Sequence, residues 1–254
     1  MKNKLLILLS SFFYLTVLSA NTDLSISAVG ITYPSGMSSN ASIGYTKLIY
    51  GSSNDLIRGY IRPYTKIKSS LFINSVALGI NISPILPIEI SLSKEIQKRA
   101  YEEFKAFDCT QVTCTVDKLT RNHFELNLAL AYKNIFFFAK NDWQSLTLNE
   151  SKFKYFGEES ASILGLGTSE SLFIHNSLLG YKLNNDDFIS LFLLAFKLKN
   201  SGESSSIKLL TYGRTIGKWS FLAGVGGMSR YGTTHFTSVF NIKWSYLKGI
   251  FPFH

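Results

Sequence analysis

The chain has 254 residues, 26 Lys or Arg against 17 Asp or Glu, and a formal net charge of +9. That excess is spread along the chain without a basic cluster or a recognition motif, so the charge does not point to nucleic acid. Past the first twenty residues no run approaches the roughly 18 consecutive apolar residues of a membrane helix, which excludes a helical membrane protein.

Residues 1–20 read as an export signal. Lys2 and Lys4 precede the apolar stretch "LLILLSSFFYLTVL", and "LSA" ends at Ala20 in small residues at the spacing a signal peptidase accepts. The expectation is a signal peptide over 1–20 and one mature domain over 21–254. In the oxidising compartment that export implies, Cys109 and Cys114 of "DCTQVTC", the two cysteines of the chain, are expected to form a disulfide pinning a loop. No histidine or second cysteine pair lies near them, so a metal site is not expected there or elsewhere.

The mature chain reads in twos. Twelve strands are predicted near 24–33, 41–50, 56–67, 70–82, 86–93, 122–132, 135–143, 171–183, 187–199, 205–215, 218–230 and 235–248, with ten as the alternative count. One segment, "SKEIQKRAYEEFKAF", instead suits a short helix or an ordered loop. Strands of about ten residues match the length needed to cross a bilayer at a tilt. The two long connections, within 94–121 and 144–170, fall on the same side when strands are numbered upward, as expected where turns are short on one face and loops long on the other.

The alternation pairs a bulky apolar face with a small, polar or charged one. In "HFELNLALAY", Phe124, Leu126, Leu128, Leu130 and Tyr132 oppose Glu125, Asn127, Ala129 and Ala131. In the last strand, Phe236, Phe240, Ile242, Trp244 and Tyr246 share one face. A soluble sandwich keeps its outward face polar, whereas an open sheet in hydrocarbon strands its edge amides; a closed barrel satisfies both constraints.

On this pattern the chain resembles the bacterial outer-membrane β-barrel proteins as a class. The resemblance implies an all-β fold, a closed antiparallel transmembrane barrel, located in the outer membrane of a Gram-negative bacterium. Its implied partners are outer-membrane lipid and the barrel assembly machinery. Such barrels usually finish on an aromatic residue, whereas this chain ends Phe253, His254.

With the apolar face outward, the expected lumen lining is Arg58, Tyr60, Arg62, Lys66, Glu89, Glu125, Lys182, Lys208, Arg214 and Lys243. Cations dominate, so an open lumen would favour small anionic solutes. Pairing with Glu89 and Glu125 would instead plug the barrel. A porin-like channel or a structural surface barrel, without cofactor, is the first reading.

Two further readings compete. In "LFIHNSLLGY", His175 and Ser177 fall on the outward face, where a lipid hydrolase would place a base and a nucleophile. The His-x-Ser spacing resembles that of outer-membrane phospholipase A and of lipid A deacylases, which work on the outer barrel face near the outer leaflet. The resemblance implies a third polar residue orienting the histidine, for which Asn141 or Asp142 is the candidate. Ser177 is followed by Leu178 and Leu179 in place of the Asn-Gly of the phospholipase pattern. The third reading is recognition or adhesion through the loops within 94–121 and 144–170, which carry Tyr101, Phe104, Phe107, Phe153, Tyr155 and Phe156.

Overall fold

A computed structural model describes residues 22–33, 35–51, 57–70, 73–99, 107–151, 153–158 and 162–246. The expected signal peptide, the C-terminal "GIFPFH", Tyr101 and Phe104 lie outside them. Among these residues fifteen strands are present: β1 (Thr22–Thr32), β2 (Ser35–Tyr45), β3 (Lys47–Tyr50), β4 (Gly59–Ser69), β5 (Ile73–Ile85), β6 (Ile88–Arg99), β7 (Val116–Tyr132), β8 (Ile135–Leu148), β9 (Tyr155–Glu158), β10 (Ile163–Leu166), β11 (Ser169–Lys182), β12 (Asp187–Leu198), β13 (Ser204–Ile216), β14 (Trp219–Arg230) and β15 (Thr233–Ser245).

Twelve of them form one closed antiparallel barrel. Each pairs with its neighbour along the chain, β2 pairs β4, β8 pairs β11, and β1 closes the ring on β15 from Ser25↔Ser245 to Ile31↔Val239. Closure leaves no barrel edge unpaired in hydrocarbon. The short β3 runs beside β4, and β9 and β10 form a separate hairpin. Two-residue turns join several strands. Tyr231 and Gly232, both at positive φ (50° and 76°), turn β14 into β15 in the manner a tight hairpin requires.

The predicted strands recur in order, with corrections at their ends: the second, expected over 41–50, is β2 over Ser35–Tyr45 with 47–50 split off as β3. The segment from Lys94 to Arg99 is strand, not helix. Glu95, Gln97 and Arg99 point inward and are buried, while Lys94, Ile96 and Lys98 point out. Both faces carry polar groups there, and that masked the period of two. The loops shrink accordingly to 100–115 and 149–168, both at one end, here called the outer end.

The outward face is a band of exposed apolar side chains around the barrel, among them Ile67, Leu78, Leu92, Leu130, Leu191, Val225 and Phe240. Large apolar groups left uncovered all round a barrel define a transmembrane surface. No helix among the described residues is long and apolar enough to cross a membrane; the strands do the crossing.

Inside, the outer half is packed. Leu119, Leu146, Leu172, Phe196 and Leu198 form an apolar core with Phe156 and Ile163 of the β9–β10 hairpin, continued by Ile207, Leu209 and Met228. Burying Phe156 and Ile163 completely is worth about 1.5–3 kcal/mol for each side chain, which holds the hairpin in the mouth. Its Glu158 is fully buried, 3.0 Å from Arg121 and 3.4 Å from Arg99, and Arg99 also donates to the carbonyl of Gly157 at 2.6 Å. The 100–115 loop packs on the hairpin through Thr113, whose amide donates to the Tyr155 carbonyl at 2.9 Å. The expected disulfide Cys109–Cys114 is formed in that loop. Beside it, the Thr110 hydroxyl and amide hold the Asp108 carboxyl below its usual range.

Candidate functional site

The lumen and the lipid-facing wall each gather polar residues, and they do so differently. In the lumen, Tyr60, Arg62 and Lys66 of β4 face inward with Arg58, as expected. Arg62 pairs with Asp23, its Nε donating to Oδ2 at 2.7 Å. The Tyr60 hydroxyl donates to Glu89, which also accepts from Asn127 at 3.1 Å. Lys140 sits 2.7 Å from Glu125. His123 lies 3.2 Å from Asp142 and 3.4 Å from Glu95.

Within this network, between the Tyr60–Glu89 contact near the inner end and the His123 cluster above it, lies a cavity of about 240 Å³ lined by Arg62, Lys66, Lys140 and Lys243, with Glu125 as the one carboxylate of its lining. Among the described residues Lys66 and Lys243 make no ion pair. Lys182 follows the inward alternation of β11 but reaches only the exposed inner rim.

Two lumen assignments are corrected. Lys208 lies opposite Leu193 and Gly227 and between the buried Ile207 and Leu209, so it points outward. Arg214 is outward as well, 3.6 Å from Asp187 at the inner end of the wall. On β13 the interior is itself an apolar core, so the rule that polar residues face the lumen inverts.

Ligand atoms of His123, Glu125 and Asp142 lie within 4.8 Å of one another. Lys140 already occupies Glu125, and Gln144 donates to Asp142 at 2.7 Å, so both carboxylates of the cluster are engaged by their own neighbours.

The second gathering is on the outside. Asn141 of β8 and His175 of β11 are direct cross-strand partners, and Nδ1 of His175 donates to Oδ1 of Asn141 at 2.9 Å. An imidazole that donates from Nδ1 keeps its lone pair on Nε2. Ser177 follows on the same face, opposite Ala139 on one side and Leu193 on the other. Its Cα is about 7 Å from that of His175 by strand rise, within the joint reach of an imidazole and a hydroxymethyl group. No hydrogen bond joins Nε2 to Ser177; such contacts commonly tighten only around substrate. Asp142, the other candidate for orienting His175, points inward to His123.

An aromatic shelf lies one outward position above. Trp143 is 5.4 Å from Phe173 and 5.5 Å from Phe124, ring to ring. Aromatic clusters of this kind sit at the membrane–water interface. His175 lies one outward position, and Ser177 two, below this shelf on the same wall.

No family model and no curated protein sequence matches the chain. Among solved structures it is similar to the NanC porin, at 9% identity over 87% of this chain and 98% of that one with a TM-score of 0.45. It is also similar to the KdgM porin, at 8% identity over 88% and 99% with a TM-score of 0.47. A third is the β domain of the Bordetella autotransporter BrkA, at 10% identity over 90% and 100% with a TM-score of 0.47.

Proposed function

We propose that this is an outer-membrane barrel that hydrolyses acyl esters of membrane lipids on its lipid-facing wall. The observation that carries the reading is the Asn141–His175 hydrogen bond, with Ser177 on the same outward face of the barrel wall. Ionisable groups turned toward hydrocarbon are expensive and mark function more often than structure.

In the reaction, Nε2 of His175 takes the proton of Ser177 Oγ as that oxygen adds to the ester carbonyl. The ester C–O bond then breaks, and the departing lysolipid oxygen receives the proton from His175. Water, deprotonated by the same nitrogen, releases the fatty acid from the acyl-serine and restores the site. Asn141 fixes the imidazole tautomer throughout and is a positioning residue. Ala139 and Ala195, the neighbours of Ser177 and His175 on the flanking strands, leave a shallow strip in which an acyl chain can lie.

The test is fatty-acid release from phospholipid or lipopolysaccharide in mixed micelles. Wild-type protein releases it, and Ser177→Ala and His175→Ala each lower the rate by about a thousandfold or more while the barrel stays folded. Release that survives both substitutions ends the proposal.

A second reading is favoured by the unpaired Lys66 and Lys243. The lower cavity holds small anions, and transport through it requires the β9–β10 hairpin to leave the mouth. Anion-selective conductance in planar bilayers, abolished in the double Lys66→Met, Lys243→Met protein, is its expected signature. Cation-selective conductance sinks it.

A further inference from the structure

The wall above the dyad is built in tiers across four strands. The dyad tier is Leu126, Asn141, His175 and Ala195; next outward come Phe124, Trp143, Phe173 and Lys197. The tier above pairs Asn122, Ser145 and Ser171, and Lys199 joins it by donating its amide to the Ser171 carbonyl at 2.9 Å. These upper two tiers enclose an outward groove of about 800 Å³ whose lining includes both lysines and no carboxylate. Lys197 and Lys199 are exposed and make no ion pair among the described residues.

We infer that this groove seats one phosphate-bearing membrane lipid, its phosphate between Lys197, Lys199 and the Asn122–Ser171 tier, its first acyl ester at His175 and Ser177. Three features converge on that occupant. The charge of the groove is positive and unopposed. Its polar tier sits on the water side of an aromatic shelf, the height of a headgroup. The shelf stands two strand residues, about 7 Å, above His175, so a lipid anchored by its phosphate presents the glycerol ester to the dyad and not the middle of its chains. The inference rests on the hydrolase reading for its purpose, but its test does not.

Binding is measured on a Ser177→Ala protein that also carries Trp219→Phe and Trp244→Phe, so that of the three tryptophans only Trp143 reports. Quenching of Trp143 by a brominated phosphatidylglycerol is compared with quenching by a brominated diacylglycerol of the same chains, in detergent. Two lysines at a membrane surface are worth about thirtyfold for an anionic headgroup. The phospholipid should therefore quench at about thirtyfold lower concentration, and Lys197→Gln with Lys199→Gln should erase that margin while leaving the diacylglycerol curve in place.

Equal curves for the two lipids overturn the inference, as does a margin that persists in the double variant. So does inorganic phosphate alone abolishing the margin at millimolar concentration, which would make this a free-anion site. Efficient disulfide dimerisation of Ser145→Cys protein would assign the groove to a second copy and overturn it too. If the margin holds but wild-type protein releases no fatty acid, the hydrolase reading falls and the lipid seat stands; release without the margin gives the reverse.

Discussion

Two histidines stand on opposite sides of the same wall, and adjacent residues of β8 hold them. Inside, His123 is flanked by Asp142 and Glu95, in a network that continues through Gln144 and Arg121 to Glu158. Outside, His175 has the neutral Asn141 as its one hydrogen-bond partner among the described residues. A carboxylate on the lipid face would cost far more than an amide, so the outer pair is neutral. The inner imidazole sits among carboxylates, its Nδ1 3.2 Å from Asp142 and its Nε2 3.4 Å from Glu95, whereas the outer one has a neutral amide beside Nδ1. Set between carboxylates, a histidine braces a barrel; with one neutral partner and Ser177 on the same face, His175 is the one to which the proposed hydrolysis gives a proton to move.

Exchanging the two positions is the sharpest way to break that contrast. His175→Ala should reduce fatty-acid release about a thousandfold without changing the denaturant midpoint. His123→Ala should retain release and lose about 3 kcal/mol of stability, because Asp142 and Glu95 are left facing each other with no group between them; equal behaviour of the two variants would erase the distinction. Next in size, Asn141→Leu should lower kcat about a hundredfold with KM little changed. Asn141→Asp should recover much of the rate, since a carboxylate accepts the same Nδ1–H bond. A rate no higher than that of Asn141→Leu would make Asn141 a packing residue.

Smaller effects are expected away from the dyad. Glu158→Gln leaves Arg99 and Arg121 without their buried carboxylate, a loss of about 3 kcal/mol. Hydrogen exchange should speed up in 155–166, and conductance events should appear in bilayers if the hairpin is the stopper. Reduction of Cys109–Cys114 removes a crosslink over five positions and should cost about 2 kcal/mol. Its effect should be confined to exchange in 107–115, leaving release unchanged.

The alternation of bulky and small residues made twelve strands, their order and the side of the long loops readable from the chain, because a pleat in lipid imposes a period of two. The same period placed His175 and Ser177 outward and narrowed the third partner to Asn141 or Asp142. Choosing between those needed the register of β8 against β11, and register is set by pairing across the barrel. Lys208 and Arg214 were misread because an apolar interior on β13 reverses the usual sidedness. The stopper was not legible at all: Phe156, Glu158 and Ile163 carry no local period, and their burial depends on Arg99 and Arg121, some 40 to 60 positions earlier.

The packed outer mouth has a consequence for the cell that bears this barrel. A wall enzyme needs a rigid cylinder, but an open cylinder would drain solutes and ions through every copy. With Phe156 and Ile163 sunk among Leu172, Phe196 and Leu198, the outer mouth is filled by side chains. On the proposed hydrolase reading, the number of copies in the membrane could then rise with the demand for lipid chemistry without opening a path for solutes through each one.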